Sequence, residues 1–494
     1  MRILKGLESN KQFWFVIFTS FLFFILRLPS LFEPLWYGDE GIYQVIGNSL
    51  NNGKLLYAEI FDNKPPLLYW LYAILHSDQF TVRLASLIFG VFCVGIFFLL
   101  SKKLFKSKTN NISYLTTLIF AVLFGLPALE GNIANAENFM ILPILTSAIL
   151  ILNARKPNPN PKLINPLSLI LNPYFLSGLL LGIAFLFKIV AVFDFAAFFI
   201  FYFIINFNSL KRNIKLFKLP LGFGLPIFLV ALFFVINGTF FDFIKAAFIS
   251  NFSYVTYGNK IGAFPLLLFI KLILLGIFLL YVFAKRKKIN ESSLFILIWF
   301  AFSLFNAFFS QRPYTHYLLV LIPSLSLMAG LILFDKKYQK TIAVIFLIAL
   351  LTVMRSFGIP RFNKSVSYYQ NFISYAMGKK TMDSYQAFFD KNTPFDYEMA
   401  RFIKPKLDIH DTIFVWGNNA QLYQLVGVVA PTKYVVAYHI SSYKDGPITT
   451  RTAIEKTKPK FIVIMANNNP IPFPLINYSK KININNAAVY ERIF

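Results

Sequence analysis

The feature that most constrains this chain is a recurring pattern of apolar runs, roughly 17–22 residues long, each ended by a short polar or basic loop. A helix of that length crosses the hydrocarbon core of a bilayer, and in lipid only helices or closed barrels satisfy the backbone. One such run can hide inside a soluble core. About ten cannot, and the composition agrees: 57% of the 494 residues are hydrophobic and 14% charged, where soluble domains carry about 25% charge. The pattern therefore predicts an all-α polytopic membrane protein of about eleven transmembrane helices. Spans are expected near 13–31, 82–101, 114–129, 138–152, 173–187, 189–206, 219–237, 264–283, 292–309, 317–334 and 341–358.

Charge gives the expected sidedness. The formal net charge is +26, but the basic residues lie in loops between apolar runs rather than on one face or tail, which argues against nucleic acid as a partner. Alternate loops hold them: Arg2, Lys5 and Lys11; Lys102, Lys103, Lys106 and Lys108; Arg155, Lys156 and Lys162; Lys211, Arg212, Lys215 and Lys218; Lys285 to Lys288; and Lys336, Lys337 and Lys340. By the positive-inside rule the N-terminus is cytoplasmic, and an odd number of spans places the C-terminus outside. This parity depends on reading 173–187 and 189–206 as two spans around Lys188 rather than one, since about 34 residues is too long for a single crossing. The first run continues into Arg27-Leu28-Pro29 without a small-residue cleavage site, so it reads as a retained signal anchor. The single cysteine, Cys93, lies within an apolar run and excludes an intrachain disulfide or a cysteine metal site.

The division expected is a membrane domain, 1–359, with a long first outer loop, 33–79, and a soluble extracytoplasmic α/β domain, 360–494. Short β-type runs at Thr412–Trp416, Tyr434–Ala437, Phe461–Met465 and Ala487–Tyr490 alternate with helix-compatible stretches, which predicts a small, largely parallel sheet. No internal repeat is visible.

Candidate chemistry gathers in the outer loops. Gly38-Asp39-Glu40-Gly41-Ile42-Tyr43 follows the first span directly, and Asp62-Asn63-Lys64-Pro65-Pro66 follows within the same loop. A carboxylate at the membrane edge is partly desolvated yet reachable by a water-soluble substrate, which suits general-base work. Lys64, stiffened by two prolines, is suited to hold a phosphate. From these residues alone, an Asp-Glu pair starting an interfacial helix and a snorkelling lysine remain equally open.

In order and spacing these motifs resemble the bacterial GT-C glycosyltransferases, the group similar to protein O-mannosyltransferases and to the aminoarabinose transferase of lipid A. The resemblance extends to Gly53, Tyr57, Arg83 in Val-Arg-Leu-Ala-Ser-Leu, Asn135 and Glu137, Lys188 in Phe-Leu-Phe-Lys, Arg312 with His316 and Tyr317, and Val415-Trp416-Gly417 with Leu422-Tyr423 in the tail. It implies transfer of a sugar from a polyprenyl-phosphate donor to an envelope acceptor (lipid, glycan or protein), with inversion, on the outer membrane face. Neither cofactor nor metal is implied. Asp39 is then the base. Glu40 orients the acceptor or exchanges roles with Asp39. Tyr43, Tyr57, Asp62, Lys64, Arg83, Glu137, Lys188, Arg312, His316 and Tyr317 are substrate contacts. One departure stands out: the lipid A enzyme has an arginine three residues after its aspartate, and here that place is Ile42.

Among ionisable groups at membrane depth, Asp194 is open between a phosphate-site role and a structural pairing with a basic neighbour, and Lys271 has no assigned role. A secondary transporter or flippase is the alternative from another class, and it predicts charges near the bundle's midplane rather than at its outer edges. A receptor or scaffold gives no reason for the Asp-Glu and Lys-Pro-Pro motifs in one loop.

Overall fold

The structure, a computed structural model, describes residues 10–106, 111–154, 172–209, 216–260, 264–312, 314–334, 337–356, 363–465, 470–485 and 487–493. Arg2, Lys5, Lys108, Arg155, Lys156, Lys162, Lys211, Arg212, Lys215 and Lys336 of the basic loops lie outside them. Among the described residues, seven helices are long and apolar enough to cross a membrane: Asn10–Phe32, Gln79–Leu104, Ala136–Asn153, Lys218–Ile236, Leu266–Lys285, Thr315–Leu333 and Tyr338–Arg355. Four shorter apolar helices complete the series: Asn111–Gly125, Pro173–Phe187, Ile189–Ile205 and Glu291–Ala307. Each expected span falls on one of these helices. The protein is a multi-pass membrane protein.

The doubtful pair resolves into two helices. Pro173–Phe187 ends at Lys188, whose backbone is extended (φ −155°, ψ 127°), and a short turn at Ile189–Ala191 leads into Val192–Ile205. The break sets the Lys188 side chain against Glu137 and the Tyr317 ring.

By internal contact the chain groups into two units. One comprises Met1–Leu28, Ala85–Phe233 and Ser250–Ser365, and contains most of the apolar helices. Its interior is dense with aromatic pairs such as Phe97 with Phe120, stacked at 4.3 Å, and Phe198 with Phe295 and Trp299, both at 5.3 Å. Asp194 is buried there and accepts a hydrogen bond from Trp299 Nε1 at 2.7 Å, so its observed partner is an indole rather than a base. Lys271 also finds its place. Its ammonium donates to Asn259 Oδ1 at 2.8 Å and to the Phe308 carbonyl at 2.6 Å, fastening two chain turns.

The other unit comprises Pro29–Leu84, Phe234–Ile249 and Val366–Phe494. Its sheet has four strands: β1 (Ile413–Trp416), β2 (Phe461–Ile464), β3 (Tyr478–Ile484) and β4 (Ala487–Arg492), in the order β1-β2-β4-β3. Only β1 and β2 are parallel; β2 with β4 and β4 with β3 are antiparallel. The sheet is thus mixed, which corrects the expected largely parallel one. The expected strand at Tyr434–Ala437 does not form: Val436 is extended, but the helix Ala437–Ser442 starts immediately after it. β3 went unpredicted because its Ser-Lys-Lys sequence is polar and almost wholly exposed, as suits an edge strand.

Candidate active site

Asp39 and Glu40 lie in the first turn of the helix Gly38–Asn51, which starts where Tyr37 is extended and the Gly41 amide closes back on the Tyr37 carbonyl at 3.0 Å. The positive end of the helix dipole favours carboxylates there. Successive helical residues point about 100° apart, and the two acids separate accordingly. Glu40 turns inward, 2% exposed, and forms an ion pair with Arg83, which is itself wholly buried. Arg83 also reaches Glu33 at 3.0 Å and the Ser30 carbonyl at 2.7 Å. Tyr368 and Trp36 Nε1 also donate to Glu33, at 2.5 and 2.8 Å. With both members of the Glu40–Arg83 pair buried, removing either leaves the other's charge poorly compensated. Glu40 and Arg83 are thereby placed together, but apart from Asp39.

Asp39 keeps 35% of its side chain exposed. Its Oδ2 accepts from the Tyr43 hydroxyl, one turn along the helix, at 3.0 Å. Lys64 Nζ lies 3.4 Å from the same oxygen, 3.5 Å from Asp62 Oδ2 and 4.7 Å from the centre of the Tyr43 ring. Lys64 is held there by its backbone. Pro65 follows and disfavours helical conformation at Lys64, while Pro66 begins the helix Pro66–Ile74. The Lys64 carbonyl accepts from the Tyr57 hydroxyl at 2.6 Å, and its amide donates to the Tyr69 hydroxyl at 3.1 Å. Tyr57 is fully buried with φ +68°, a left-handed conformation that an aromatic residue adopts only when its surroundings hold it. Tyr57 thus sets the backbone that carries Lys64. Asp62 is 1% exposed and accepts from Tyr69 at 2.6 Å. Burial first, then the nearby carboxylates, pushes the Tyr43 and Tyr69 phenols well above their ordinary range, so both are donors at any ordinary pH.

A residue that sequence reasoning missed joins this group. His439, in the tail, has Nε2 3.6 Å from Asp62 Oδ1. Burial, opposed by Asp62, holds its pKa down at about 4, so the ring is neutral. No local motif marks it; the only signal is scarcity, since the chain has four histidines. Phe61 ties the two segments together: its amide donates to the Lys433 carbonyl at 3.0 Å and its ring meets Tyr434, His439 and Tyr443 at 5.1, 5.4 and 4.7 Å.

The remaining candidates lie in the other unit. Glu137, in the first turn of Ala136–Asn153, pairs with Lys188 and is 2% exposed. Lys188 Nζ also sits 4.3 Å from the Tyr317 ring centre. His316 Nδ1 is 2.9 Å from Glu130 Oε2, and its ring meets Tyr317 edge-on at 4.7 Å. Glu130, a left-handed residue at φ +57°, also accepts from Thr315. Asn135 is buried with both side-chain polar atoms unpartnered among the described residues. Arg312 lies beside Gly258, where a Cβ would come within 3.7 Å of its Nε. No group of three or more His, Cys, Asp or Glu is placed to hold a metal ion among the described residues.

Comparison with known proteins adds to this geometry. Residues 63–235 match the family described as dolichyl-phosphate-mannose-protein mannosyltransferase, a match that begins in the Asn63-Lys64-Pro65-Pro66 segment. The crystal structure of ArnT from Cupriavidus metallidurans bound to undecaprenyl phosphate is similar to this chain at TM-score 0.55 and 14% identity, over 96% of this chain and 97% of that one. The chain has the GT-C fold. The apo state of the same Cupriavidus metallidurans protein matches the GT-C fold of this chain equally well, at TM-score 0.55 over 98% of each. In sequence, 134 residues are 25% identical to the undecaprenyl phosphate-alpha-4-amino-4-deoxy-L-arabinose arabinosyl transferase of Wigglesworthia glossinidia brevipalpis. That match spans about a quarter of the curated relative's length, 24%, and the same share of this chain.

Proposed function

We propose that this protein is an inverting glycosyltransferase that moves a sugar from a polyprenyl-phosphate donor to an acceptor of the cell envelope, on the outer membrane face. The observation that carries the reading is the Asp39–Lys64 pair: a part-exposed carboxylate 3.4 Å from an ammonium, held by the two motifs of one loop in a GT-C fold. The similar ArnT structure holds undecaprenyl phosphate, and the matched family is described as dolichyl-phosphate-mannose-protein mannosyltransferase, which supports a prenyl-phosphate donor here.

The step asks for two things. As the acceptor hydroxyl oxygen bonds to the anomeric carbon, its proton passes to a base, and Asp39 is the carboxylate reachable from water. As the bond from the anomeric carbon to the phosphate oxygen breaks, its electron pair stays on the departing prenyl phosphate, and Lys64 neutralises that charge. Asp62 and Tyr43 hold the lysine; Tyr57 fixes its backbone. Glu137, Lys188, His316 and Tyr317 are a second polar group available to substrate, with Arg312 nearby in sequence. Glu40 and Arg83 serve by holding the helix that presents Asp39.

Purified protein is expected to transfer or hydrolyse sugar from a polyprenyl-phosphate donor. Asp39→Asn, which keeps the shape and removes the base, is expected to lower the rate about 10²–10⁴-fold while the protein stays folded. Undiminished activity in a folded Asp39→Asn protein contradicts the assignment.

The sidedness we infer rests on the basic loops: N-terminus in, residues 360–494 out. Because the only native cysteine, Cys93, is buried, a cysteine placed at the exposed Ile448 is a clean probe. It is expected to react with a membrane-impermeant thiol reagent in intact cells, and protection there reverses the topology.

A further inference from the structure

His439 has no part in the chemistry above, yet it is placed where a polar side chain needs a reason. It is 4% exposed, walled by Phe61, Tyr438 and Tyr443, and its Nδ1 is buried without a hydrogen-bond partner among the described residues. The charged groups acting on it are Asp62 and Lys64 from the loop and Asp39 from the helix Gly38–Asn51, with desolvation dominant, so the ring is neutral and carries one N–H. Putting that hydrogen on Nδ1 would bury an unpaired donor and set a lone pair against the Asp62 carboxylate. On Nε2 it faces Asp62 Oδ1, 3.6 Å away. Tyr69 donates to the other oxygen, Oδ2, at 2.6 Å. Asp62 thus accepts a hydrogen bond at Oδ2, the oxygen turned toward Lys64, and faces the imidazole N–H at Oδ1 just beyond hydrogen-bond length.

We propose that His439 is a positioning residue for the donor phosphate: its Nε2–H fixes Asp62, and Asp62 fixes the ammonium of Lys64. The tail thereby acts on the donor side of the site. The donor part of this inference rests on the reading under Proposed function; the His439–Asp62–Lys64 coupling does not.

The physical chain is short. Without the donor at Nε2, the buried Asp62 carboxylate loses one of the groups that orient it. Lys64 then faces a less firmly placed counter-charge and is itself less firmly placed for a phosphate. A glutamine amide nitrogen extends about as far as Nε2 and can replace its N–H. An asparagine amide stops near the position of Nδ1, and leucine has no donor.

The test compares His439→Gln, His439→Asn and His439→Leu in the full-length protein. The Asn and Leu variants are expected to raise the KM for a polyprenyl-phosphate sugar roughly fivefold to tenfold, with kcat within about twofold. Gln is expected to stay near wild type. The second readout needs no donor: the profile of Lys64 acylation against time at one pH, followed by mass spectrometry. It is expected to be faster in the Asn and Leu variants, where the amine is less firmly held, and to hold in Gln. Should the Leu variant fail to fold, the contrast between Asn and Gln decides. Asn and Gln variants with equal donor KM and equal Lys64 profiles overturn the proposal. A wild-type protein that transfers no sugar from any prenyl-phosphate donor sinks the functional reading instead, while the acylation profile still tests the coupling.

Discussion

Lys64 and Lys188 are alike in kind and opposite in setting. Each amine lies against a carboxylate and a tyrosine ring, Tyr43 at 4.7 Å and Tyr317 at 4.3 Å. Lys64 has two carboxylates, Asp39 and Asp62, and one of them is 35% exposed. Lys188 has Glu137, which is 2% exposed. The first arrangement keeps a hydrated edge at Asp39, so its amine can turn to an incoming phosphate while that carboxylate is still partly solvated. The second sets Lys188 against a buried carboxylate, so breaking that pair costs more. The same pair of functional groups therefore has a water-exposed carboxylate in one unit and a buried one in the other.

Single substitutions sharpen that contrast. Lys64→Met is expected to cost about 10²–10³-fold in transfer, the loss typical of removing one group that meets developing charge, with a smaller loss of thermal stability than Glu137→Ala, because Asp39 reaches water and the buried Asp62 keeps the Tyr69 hydrogen bond. Glu137→Ala is expected to destabilise by about 3–5 kcal/mol, seen as a lowered melting temperature in detergent, because it breaks a buried ion pair. The comparison breaks if Lys64→Met unfolds the protein or if Glu137→Ala leaves its melting point unmoved.

A smaller effect separates the settings by pH. Behind the Asp39 helix, Gly41 lies so close to the tail that a Cβ would approach the Gln421 amide nitrogen to 2.7 Å. Gln421 and Asn419 both donate to Asp396, at 2.9 and 3.0 Å. Burial lifts the Asp396 carboxyl from 3.8 to about 6, against the hydrogen bonds from those two amides. A carboxyl whose folded pKa is raised holds its proton better in the native state. Its contribution is full below about pH 4 and is lost as the pH rises through about 6. At roughly 1.4 kcal/mol per unit, the shift amounts to about 3 kcal/mol at most. Thermal stability of the unit containing the sheet is expected to fall across that window, and Asp396→Asn is expected to flatten the fall. An identical pH profile in the variant removes Asp396 as its cause.

Much of this was legible in the sequence, for physical reasons that differ by region. Apolar runs long enough to cross a bilayer leave few alternatives to helix, and every expected span falls on an apolar helix, seven of them long and apolar enough to cross a membrane. Asp39, Lys64 and Asp62 could be nominated because two motifs share one loop. The separation of Asp39 from Glu40 could not, since neighbouring acids diverge only once the helix and its packing exist. Arg83 was nominated as a substrate contact but is wholly buried between Glu33 and Glu40, an outcome set by long-range packing. His439 was invisible for a similar reason: 375 positions separate it from Lys64, and nothing near it in sequence announces its partner. In the tail, periodicity found β1, β2 and β4 but mistook the apolar Tyr434–Ala437 for a strand, because a short apolar run does not distinguish a strand from the entry to a buried helix.

The most direct test of the central claim is the position of a bound donor phosphate. With a polyprenyl phosphate added, a cryo-electron microscopy map is expected to show a phosphate oxygen within hydrogen-bonding reach of Lys64 Nζ, about 2.7–3.2 Å, with Asp39 beside it. A phosphate seated elsewhere, with Lys64 still held between Asp39 and Asp62, would contradict the account.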